Sequence, residues 1–250
     1  MKSVDKYLDS QLSESSKPLR FLNWLGRTLV GTSMRLIFRA HYEGLEVFDN
    51  IPDGKGVIIA GNHSSYTDPM FIYDAIWPRR VRFMGKGVLF DNHKFLKWVL
   101  AWFGVFPTYT DARARTSIKR SISYIRAGDC VGIFPEGTRI KKRDKTGIPI
   151  NNGVALIAKM ADCLIVPVGI EGTLDISPTG SKWLHYPRVT LRFGQPVNWR
   201  DWSDLRSHEL LDAVSDEVMR RVRCLEKGEN PGPTPEREQQ VAQDHGEELS

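Results

Sequence analysis

The stretch "NHSSYTD" at positions 62–68 sets a histidine and a carboxylate, His63 and Asp68, five residues apart. Such a pair can act as a general base, because the carboxylate holds one ring nitrogen protonated and orients the other toward a substrate hydroxyl. On one continuous helix the two side chains would lie about 140° apart and could not cooperate. The pair can therefore do chemistry only if the chain bends between them. Otherwise Asp68 is a helix cap and His63 a turn residue.

The flanking residues supply such a bend. "GVIIA" reads as a strand, "GNHSSY" is rich in turn residues, and Asp68 followed by Pro69 predicts an N-cap with proline at the first helical position. A strand-to-helix elbow would put His63 and Asp68 at the carboxyl edge of a parallel sheet, where open α/β folds bind ligands. A serine nucleophile is an alternative. Neither Ser64 nor Ser65 lies in a G-x-S-x-G elbow, so we interpret both as turn and cap hydroxyls.

A second polar turn, "IFPEGTRIKKR" at 133–143, follows another apolar strand. Arg139 offers a planar fork that matches a phosphate, Thr138 adds a hydroxyl, and Gly137 allows a ligand close to backbone N–H groups. Glu136 could fix Arg139 or His63 by a hydrogen bond. Two polar elbows at one sheet edge suggest a single site, although this turn alone could equally be a solvated loop.

Together the two stretches resemble a known family. "NHSSYTD" matches the N-H-x4-D block and "FPEGTR" the F-P-E-G-T-R block of glycerolipid acyltransferases, specifically the 1-acyl-glycerol-3-phosphate acyltransferase group. "LIVPVGI" is similar to the V-P-V block of that family, and the resemblance covers roughly residues 40 to 200.

The resemblance implies acyl transfer from acyl-CoA or acyl-carrier protein to the sn-2 hydroxyl of 1-acyl-glycerol-3-phosphate, with no cofactor, metal or acyl-enzyme. His63 would deprotonate the hydroxyl, Asp68 would orient His63, and Glu136 would belong to the same catalytic group. Lys86 in "FMGKGVLF" and the Gly137 N–H are candidate donors to the oxyanion. A solvated loop charge is the alternative for Lys86.

The family pattern also implies a set of substrate-binding residues, namely Asn62, Arg113, Arg115, Thr138 and Arg139. In "VFPTYTDARART", Arg113 is the nearest match to the arginine that contacts the acceptor phosphate, and Arg115 is a rival. "IPINNGVAL" keeps Gly153 but lacks the positive charge that the family usually has beside it. Another lysophospholipid or a glycolipid therefore remains an alternative acceptor, and a non-catalytic membrane-binding protein on the same fold is an alternative of another class.

Apolar β-rich runs alternate with helical patterns along the chain. The predicted strands are 56–61, 81–85, 103–109, 130–135, 164–170 and 189–194. The predicted helices are 68–76, 93–102, 114–128, 152–161 and 205–227. This alternation predicts an α/β fold with a mostly parallel central sheet flanked by helices on both faces.

The segment 20–40 predicts an amphipathic helix. Leu22, Leu25, Leu29 and Leu36 fall on one side, and Arg20, Arg27, Arg35 and Arg39 on the other. Such a helix can lie in a membrane interface, or it can dock on the sheet with solvated arginines. A second apolar segment, 94–103, favours a buried helix, with a membrane contact or an acyl-chain pocket as the alternative.

At 250 residues and 41% hydrophobic content, the chain suits one sizeable domain. We expect a helical, interfacial segment at 1–40, an acyltransferase domain at 41–225 and a disordered acidic tail at 226–250. The tail carries a net charge of −5 against +5 for the chain, which leaves +10 on residues 1–225. This charge favours an anionic partner.

The expected location follows from the same features. No signal peptide and no apolar run of membrane-spanning length is predicted. Three widely spaced cysteines predict neither a disulfide framework nor a zinc site. With a lipid substrate, we expect a peripheral or monotopic protein on the cytoplasmic face of the cell membrane, bound to anionic lipid. The chain lacks nucleic-acid recognition motifs, so we expect no nucleic acid as partner.

Overall fold

The computed structural model describes residues 28–91, 94–109, 114–140, 149–178 and 183–232. Within these ranges, seven strands form one sheet in the order β1-β7-β6-β2-β5-β3-β4. The strands are β1 His41–Glu43, β2 Ile58–Gly61, β3 Val81–Lys86, β4 Val105–Thr108, β5 Cys130–Ile133, β6 Ile165–Glu171 and β7 Thr190–Phe193. All six predicted strands are present. β1 was not predicted because it is a three-residue strand without an apolar run.

Five neighbouring strands, β2 to β6, run parallel to one another. β7 pairs antiparallel with β6, and β1 pairs parallel with β7, so these two strands are reversed. We call the side of the sheet at which β2 to β6 end the carboxyl edge. Because of their reversal, β1 and β7 begin at this edge. The predicted mostly parallel sheet is thus confirmed.

Helices cover both faces of the sheet. They are α1 28–37, α2 Asp68–Ala75, α3 Val88–Asp91, α4 Lys94–Trp102, α5 Ala114–Arg126, α6 Gly153–Ala161 and α7 Ser207–Glu226. The side chains of β2 alternate between two cores: Ile58 and Ala60 pack with α5, α6 and α7, whereas Ile59 packs with α2 and the end of α1. All five predicted helices are present, and the short α3 is additional.

The described part of α1 packs on the core through one side. Gly31 is buried against Asp74, Met34 packs on the core, and Phe38 just after the helix is buried. The opposite side carries Leu29 and Leu36, and Leu36 is 75% exposed. The helix therefore docks on the core with Gly31 and Met34, and it turns Leu29 and Leu36 of the predicted leucine stripe outward. Residues 20–27 of the predicted helix lie outside the described residues.

The chain after α7 stays in contact with the fold. Arg220 Nη1 donates to the Pro231 carbonyl at 2.6 Å, so the predicted start of the disordered tail at residue 226 was too early. Positions 233–250 lie outside the described residues. Among the helices that the structure describes, none combines the length and apolar character needed to cross a membrane.

Candidate active site

His63 and Asp68 meet at the elbow between β2 and α2. β2 ends at Gly61 and α2 begins at Asp68, so the chain turns between the two side chains, as predicted. His63 Nδ1 lies 2.8 Å from Asp68 Oδ2. A carboxylate only accepts hydrogen bonds, so Nδ1–H is the donor of this contact, and in the neutral imidazole the lone pair is then on Nε2. The elbow thus leaves one basic nitrogen available for a substrate.

Asp68 does not cap the helix as predicted. Thr67 occupies the N-cap position, and Asp68 is the first helical residue. Its carboxylate turns back to the elbow, where Oδ2 also accepts from the Ser64 and Ser65 amides, both at 2.8 Å. The residue is fully buried. Three donors on one buried oxygen fix the carboxylate and, through it, the imidazole of His63.

The imidazole of His63 is held on its flat side by Phe134. The two ring centroids are 4.2 Å apart at an interplanar angle of 14°. Phe134 is in turn stacked on Phe83 of β3 at 6.3 Å. The His63 side chain is 18% exposed. The ring is therefore packed on one side and open to a ligand on the other.

The second motif, at 133–143, is hydrogen-bonded to the main chain of His63. The His63 N–H donates to Glu136 Oε2 at 2.9 Å, and the Ile140 N–H donates to the His63 carbonyl at 2.7 Å. Glu136 is buried. Of the two partners predicted for Glu136, the structure gives it His63, at the main chain. Glu136 therefore positions the main chain of His63.

Gly137 differs from its predicted role. Its N–H donates to the Phe134 carbonyl at 2.9 Å, so the amide closes the turn and is not available to an oxyanion. The φ of Gly137 is +65°, a conformation that favours glycine, and the space around its Cα is open. Gly137 thus shapes the turn and admits a ligand. Thr138 follows it as an exposed side chain.

The guanidinium of Arg139 stacks on the ring of Tyr66, a contact that the sequence analysis did not predict. Its Cζ lies 3.3 Å from the centroid of the Tyr66 ring. Tyr66 is one of the four residues between His63 and Asp68, so the contact joins the two motifs. Phe134 was also not predicted. In the sequence, the only sign of these two stacking contacts is that each motif contains an aromatic residue, Tyr66 in the first and Phe134 in the second.

The side chain of Asn62 is bonded within the fold. Its amide group donates to the Ile170 carbonyl at 2.8 Å and accepts from the Ile170 N–H at 2.7 Å. Because Asn62 is fully buried, any part that it has in substrate binding is indirect. Asn62 fixes the end of β2 to β6 and thereby the position of His63.

The predicted cations lie farther along the carboxyl edge. Lys86 is exposed at the end of β3, two strands from β2, which corresponds to about 10 Å. Arg115 is exposed in the first turn of α5, after β4. Both can reach a ligand that extends from His63 across the edge. Arg113 lies outside the described residues.

The donor set offers no sign of a metal centre. No group of three His, Cys, Asp or Glu residues that could hold an ion occurs in the ranges that the structure describes. The cysteines are free, and burial raises the pKa of Cys130 to about 11 and that of Cys163 to about 12. Both thiols therefore stay protonated and inert.

Comparison with known proteins identifies relatives of the chain. The sequence profile of the family described as Acyltransferase matches residues 43–171, just over half of the chain, including both motifs. The 1-acyl-sn-glycerol-3-phosphate acyltransferase of Bacillus subtilis (strain 168) is 30% identical over 188 residues, covering 73% of this chain and 88% of that protein. The protein of the same name from Streptococcus pneumoniae is 29% identical, covering 75% of this chain and 66% of its own length.

A solved structure shares the fold. The crystal structure of the 1-acyl-sn-glycerophosphate (LPA) acyltransferase PlsC from Thermotoga maritima is similar with a TM-score of 0.60 at 22% identity, over 83% of this chain and 86% of that chain. Taken with the profile match and the relatives, this confirms the resemblance of "NHSSYTD" and "FPEGTR" to a family of enzymes. The chain is a member of the acyltransferase family.

Proposed function

We propose that the chain transfers an acyl group from acyl-CoA or acyl-carrier protein to the sn-2 hydroxyl of 1-acyl-glycerol-3-phosphate, giving phosphatidic acid. The observation that carries this proposal is the 2.8 Å contact between His63 Nδ1 and the buried Asp68 carboxylate at the carboxyl edge. The acceptor follows the names of the relatives.

The proposed reaction is a direct transfer. His63 Nε2 takes the proton of the acceptor hydroxyl while the hydroxyl oxygen bonds to the thioester carbonyl carbon. The carbon–sulfur bond then breaks, and Nε2 returns the proton to the departing thiolate, which leaves His63 neutral for the next cycle. A thioester is already activated and a thiolate is a good leaving group, so the two substrates need no cofactor or metal.

Charged side chains along the edge have separate roles in this proposal. Since the Gly137 N–H is engaged in its turn, Lys86 is the remaining candidate of the predicted pair to stabilise the oxyanion. Arg139 binds the acceptor phosphate in this proposal, because its guanidinium is held over the ring of Tyr66, which lies between His63 and Asp68 in the sequence. Arg115, exposed in the first turn of α5, extends the positive charge along the edge.

The acceptor and the product both partition into lipid, so we propose that the enzyme works as a peripheral or monotopic protein on the cytoplasmic face of the cell membrane. The outward leucine face of α1 supports this location, because Leu29 and Leu36 are exposed to solvent on a docked helix. Arg39, which is exposed just after α1, favours anionic lipid.

One observation favours an alternative acceptor with the same chemistry. Residues 151–153 lie against the FPEGTR turn, since the Asn151 N–H donates to the Pro135 carbonyl at 2.9 Å. Asn151 and Asn152 are neutral where the family usually has a positive charge. A less charged lysophospholipid or a glycolipid therefore remains the second candidate, and competition among acceptors with one labelled acyl-CoA distinguishes the two.

The test is thiol release from palmitoyl-CoA on liposomes, with and without lysophosphatidate. His63→Ala should lower the acceptor-dependent rate by at least about two orders of magnitude, as expected for the loss of a positioned base. His208→Ala is the matched control: His208 Nδ1 also contacts a carboxylate, Asp212 Oδ2 at 2.9 Å, but on an 88% exposed side chain. Its rate should stay within about twofold, because an exposed pair contributes little.

Three results would contradict the proposal in different ways. Release without acceptor indicates a thioesterase. Full activity of His63→Ala would show that His63 is not the general base. Vesicle binding by wild type and His63→Ala alike, with no turnover on any lipid acceptor or with a carrier-protein donor, indicates a non-catalytic membrane-binding protein.

A further inference from the structure

The loop at 183–188 leads into β7 and lies at the same edge as His63. β7 is reversed relative to β6, so the loop before it reaches the carboxyl edge beside the end of β6. β6 is also the neighbour of β2, which leads to His63. The loop is therefore placed near the active site by the topology, although it contains none of the family motifs.

The loop exposes large apolar side chains. Trp183 is 81% exposed and Leu184 is 63% exposed, and Tyr186 is exposed as well. Adjacent exposed apolar side chains usually mark an interaction surface. Tryptophan and tyrosine are the residues preferred where an apolar phase meets water, because each combines an apolar ring with a polar group.

The loop is fixed beside the end of α1. Arg39 Nη2 donates to the Tyr186 carbonyl at 3.1 Å, and the rings of Phe38 and Tyr186 are 5.8 Å apart. The Val189 N–H also donates to the Phe38 carbonyl at 3.1 Å. The loop is thus held against the segment that follows α1, although the two lie far apart in the sequence.

Positive charge accompanies this apolar surface. Arg39 and Arg188 are exposed on the two segments that meet there, and residues 1–225 carry a net charge of +10. A partner that offers hydrocarbon and negative charge at once is the surface of an anionic bilayer.

We propose that the 183–186 loop is a lipid-binding element in addition to the leucine face of α1, and that it inserts Trp183 and Leu184 into the interface of an anionic bilayer. This inference rests on the proposed function, because a lipid acceptor is what requires the carboxyl edge to face the bilayer. Two contacts, α1 and the loop, fix the tilt of the domain on the membrane. A single helix leaves rotation about its own axis free.

The test compares two double variants of the full chain by co-sedimentation with vesicles of phosphatidylcholine and phosphatidylglycerol. Trp183→Ser with Leu184→Ser should lower the partition coefficient at least about tenfold, because two apolar side chains no longer leave water. The control is Trp77→Ser with Met160→Ser. These residues are 48% and 49% exposed, but they lie beside the ends of α2 and α6 opposite the carboxyl edge. The control should change the coefficient less than about twofold.

A loop variant that binds vesicles as well as wild type overturns the proposal, and so does an equal loss in both double variants, which would show a non-specific apolar effect. A second measurement does not depend on the stability of the serine variant. Vesicles that contain brominated phosphatidylcholine should quench the emission of wild type more than that of Trp183→Phe. Equal quenching overturns the insertion of Trp183.

Failure of the inference can be distinguished from failure of the proposed function. The binding and quenching measurements need no turnover, and the function is tested separately by wild-type thiol release. A wild-type protein without acyl transfer to any acceptor contradicts the function. If the wild-type protein transfers acyl groups but the Trp183→Ser, Leu184→Ser variant binds vesicles as well as wild type, only the inference is contradicted.

Discussion

At the scale of single residues, the guanidinium of Arg139 rests on the ring of Tyr66, with Cζ 3.3 Å from the ring centroid. A cation above an aromatic face at an exposed site gains about 0.5–1 kcal/mol. The stacked geometry also leaves the N–H edge of the guanidinium free to meet a phosphate in its plane. Tyr66 thus orders a long, flexible side chain before the acceptor arrives.

We therefore predict that Tyr66→Leu raises the KM for lysophosphatidate by about two- to fivefold, the equivalent of the lost cation–π contact, and leaves kcat nearly unchanged. Tyr66→Phe keeps the ring and should retain the wild-type KM. Steady-state kinetics on mixed micelles measures both constants. If Phe and Leu raise the KM equally, the phenolic hydroxyl acts and the stacking does not.

The sequence predicts the site at this scale only in part. The bend between His63 and Asp68 follows from local turn chemistry and was predicted. The roles of Asn62 and Gly137 were not predicted, because they depend on hydrogen-bond partners that the local sequence does not identify. Asn62 binds Ile170, which is 108 residues away. Gly137 uses its amide within its own turn, and residue type alone does not reveal which acceptor an N–H will find.

At the scale of elements, Asp74 joins the helix with the leucine face to the helix that starts with Asp68. Asp74 Oδ2 accepts from Arg35 Nε at 2.9 Å and from the Tyr42 hydroxyl at 2.7 Å. Burial and the hydrogen bond to Asp74 raise the pKa of Tyr42 well above its ordinary value, so Tyr42 remains a donor at neutral pH. Gly31 lets α1 approach this carboxylate closely.

We predict that Asp74→Asn lowers the free energy of unfolding by about 1–3 kcal/mol, because a mostly buried acceptor loses its charge-assisted bonds. The matched control is Asp162→Asn. Asp162 also contacts an arginine, Arg200 at 2.6 Å, but the side chains of this pair are 56% and 57% exposed. The control should have little effect, since exposed ion pairs contribute little and asparagine tolerates the positive φ at this position. Urea denaturation followed by circular dichroism measures both. If both variants lose the same free energy of unfolding, the contacts of Asp74 stabilise the fold no more than those of an exposed ion pair.

The elements themselves were largely predictable, because long periodic patterns such as that of α5 or α7 dominate local structure. β1 has only three residues and forms by pairing with β7, which lies far along the chain. The periodicity of α1 defined two faces but could not say which one meets the core. The structure answers this through Gly31 and Phe38, whose fit depends on α2 and on the loop before β7.

At the scale of the whole molecule, the net positive charge of residues 1–225 should make membrane binding depend on salt. Raising NaCl from about 0.05 M to about 0.5 M shortens the screening length to a few ångströms. We predict that this weakens binding to phosphatidylglycerol-containing vesicles several-fold and hardly changes the weaker binding to phosphatidylcholine alone. Co-sedimentation at each salt concentration measures the two constants. Salt-independent binding to anionic vesicles would contradict an electrostatic contribution.

The second motif holds residue 63 by its main chain, through the N–H bonded to Glu136 and the carbonyl bonded to Ile140. Ser64 and Ser65 also keep their bonds to Asp68 when the imidazole is absent. His63→Ala should therefore preserve the substrate-binding edge while it stops turnover. Such a variant is a substrate trap: it can be crystallised with the acyl donor and the acceptor bound together, before the reaction that would consume them.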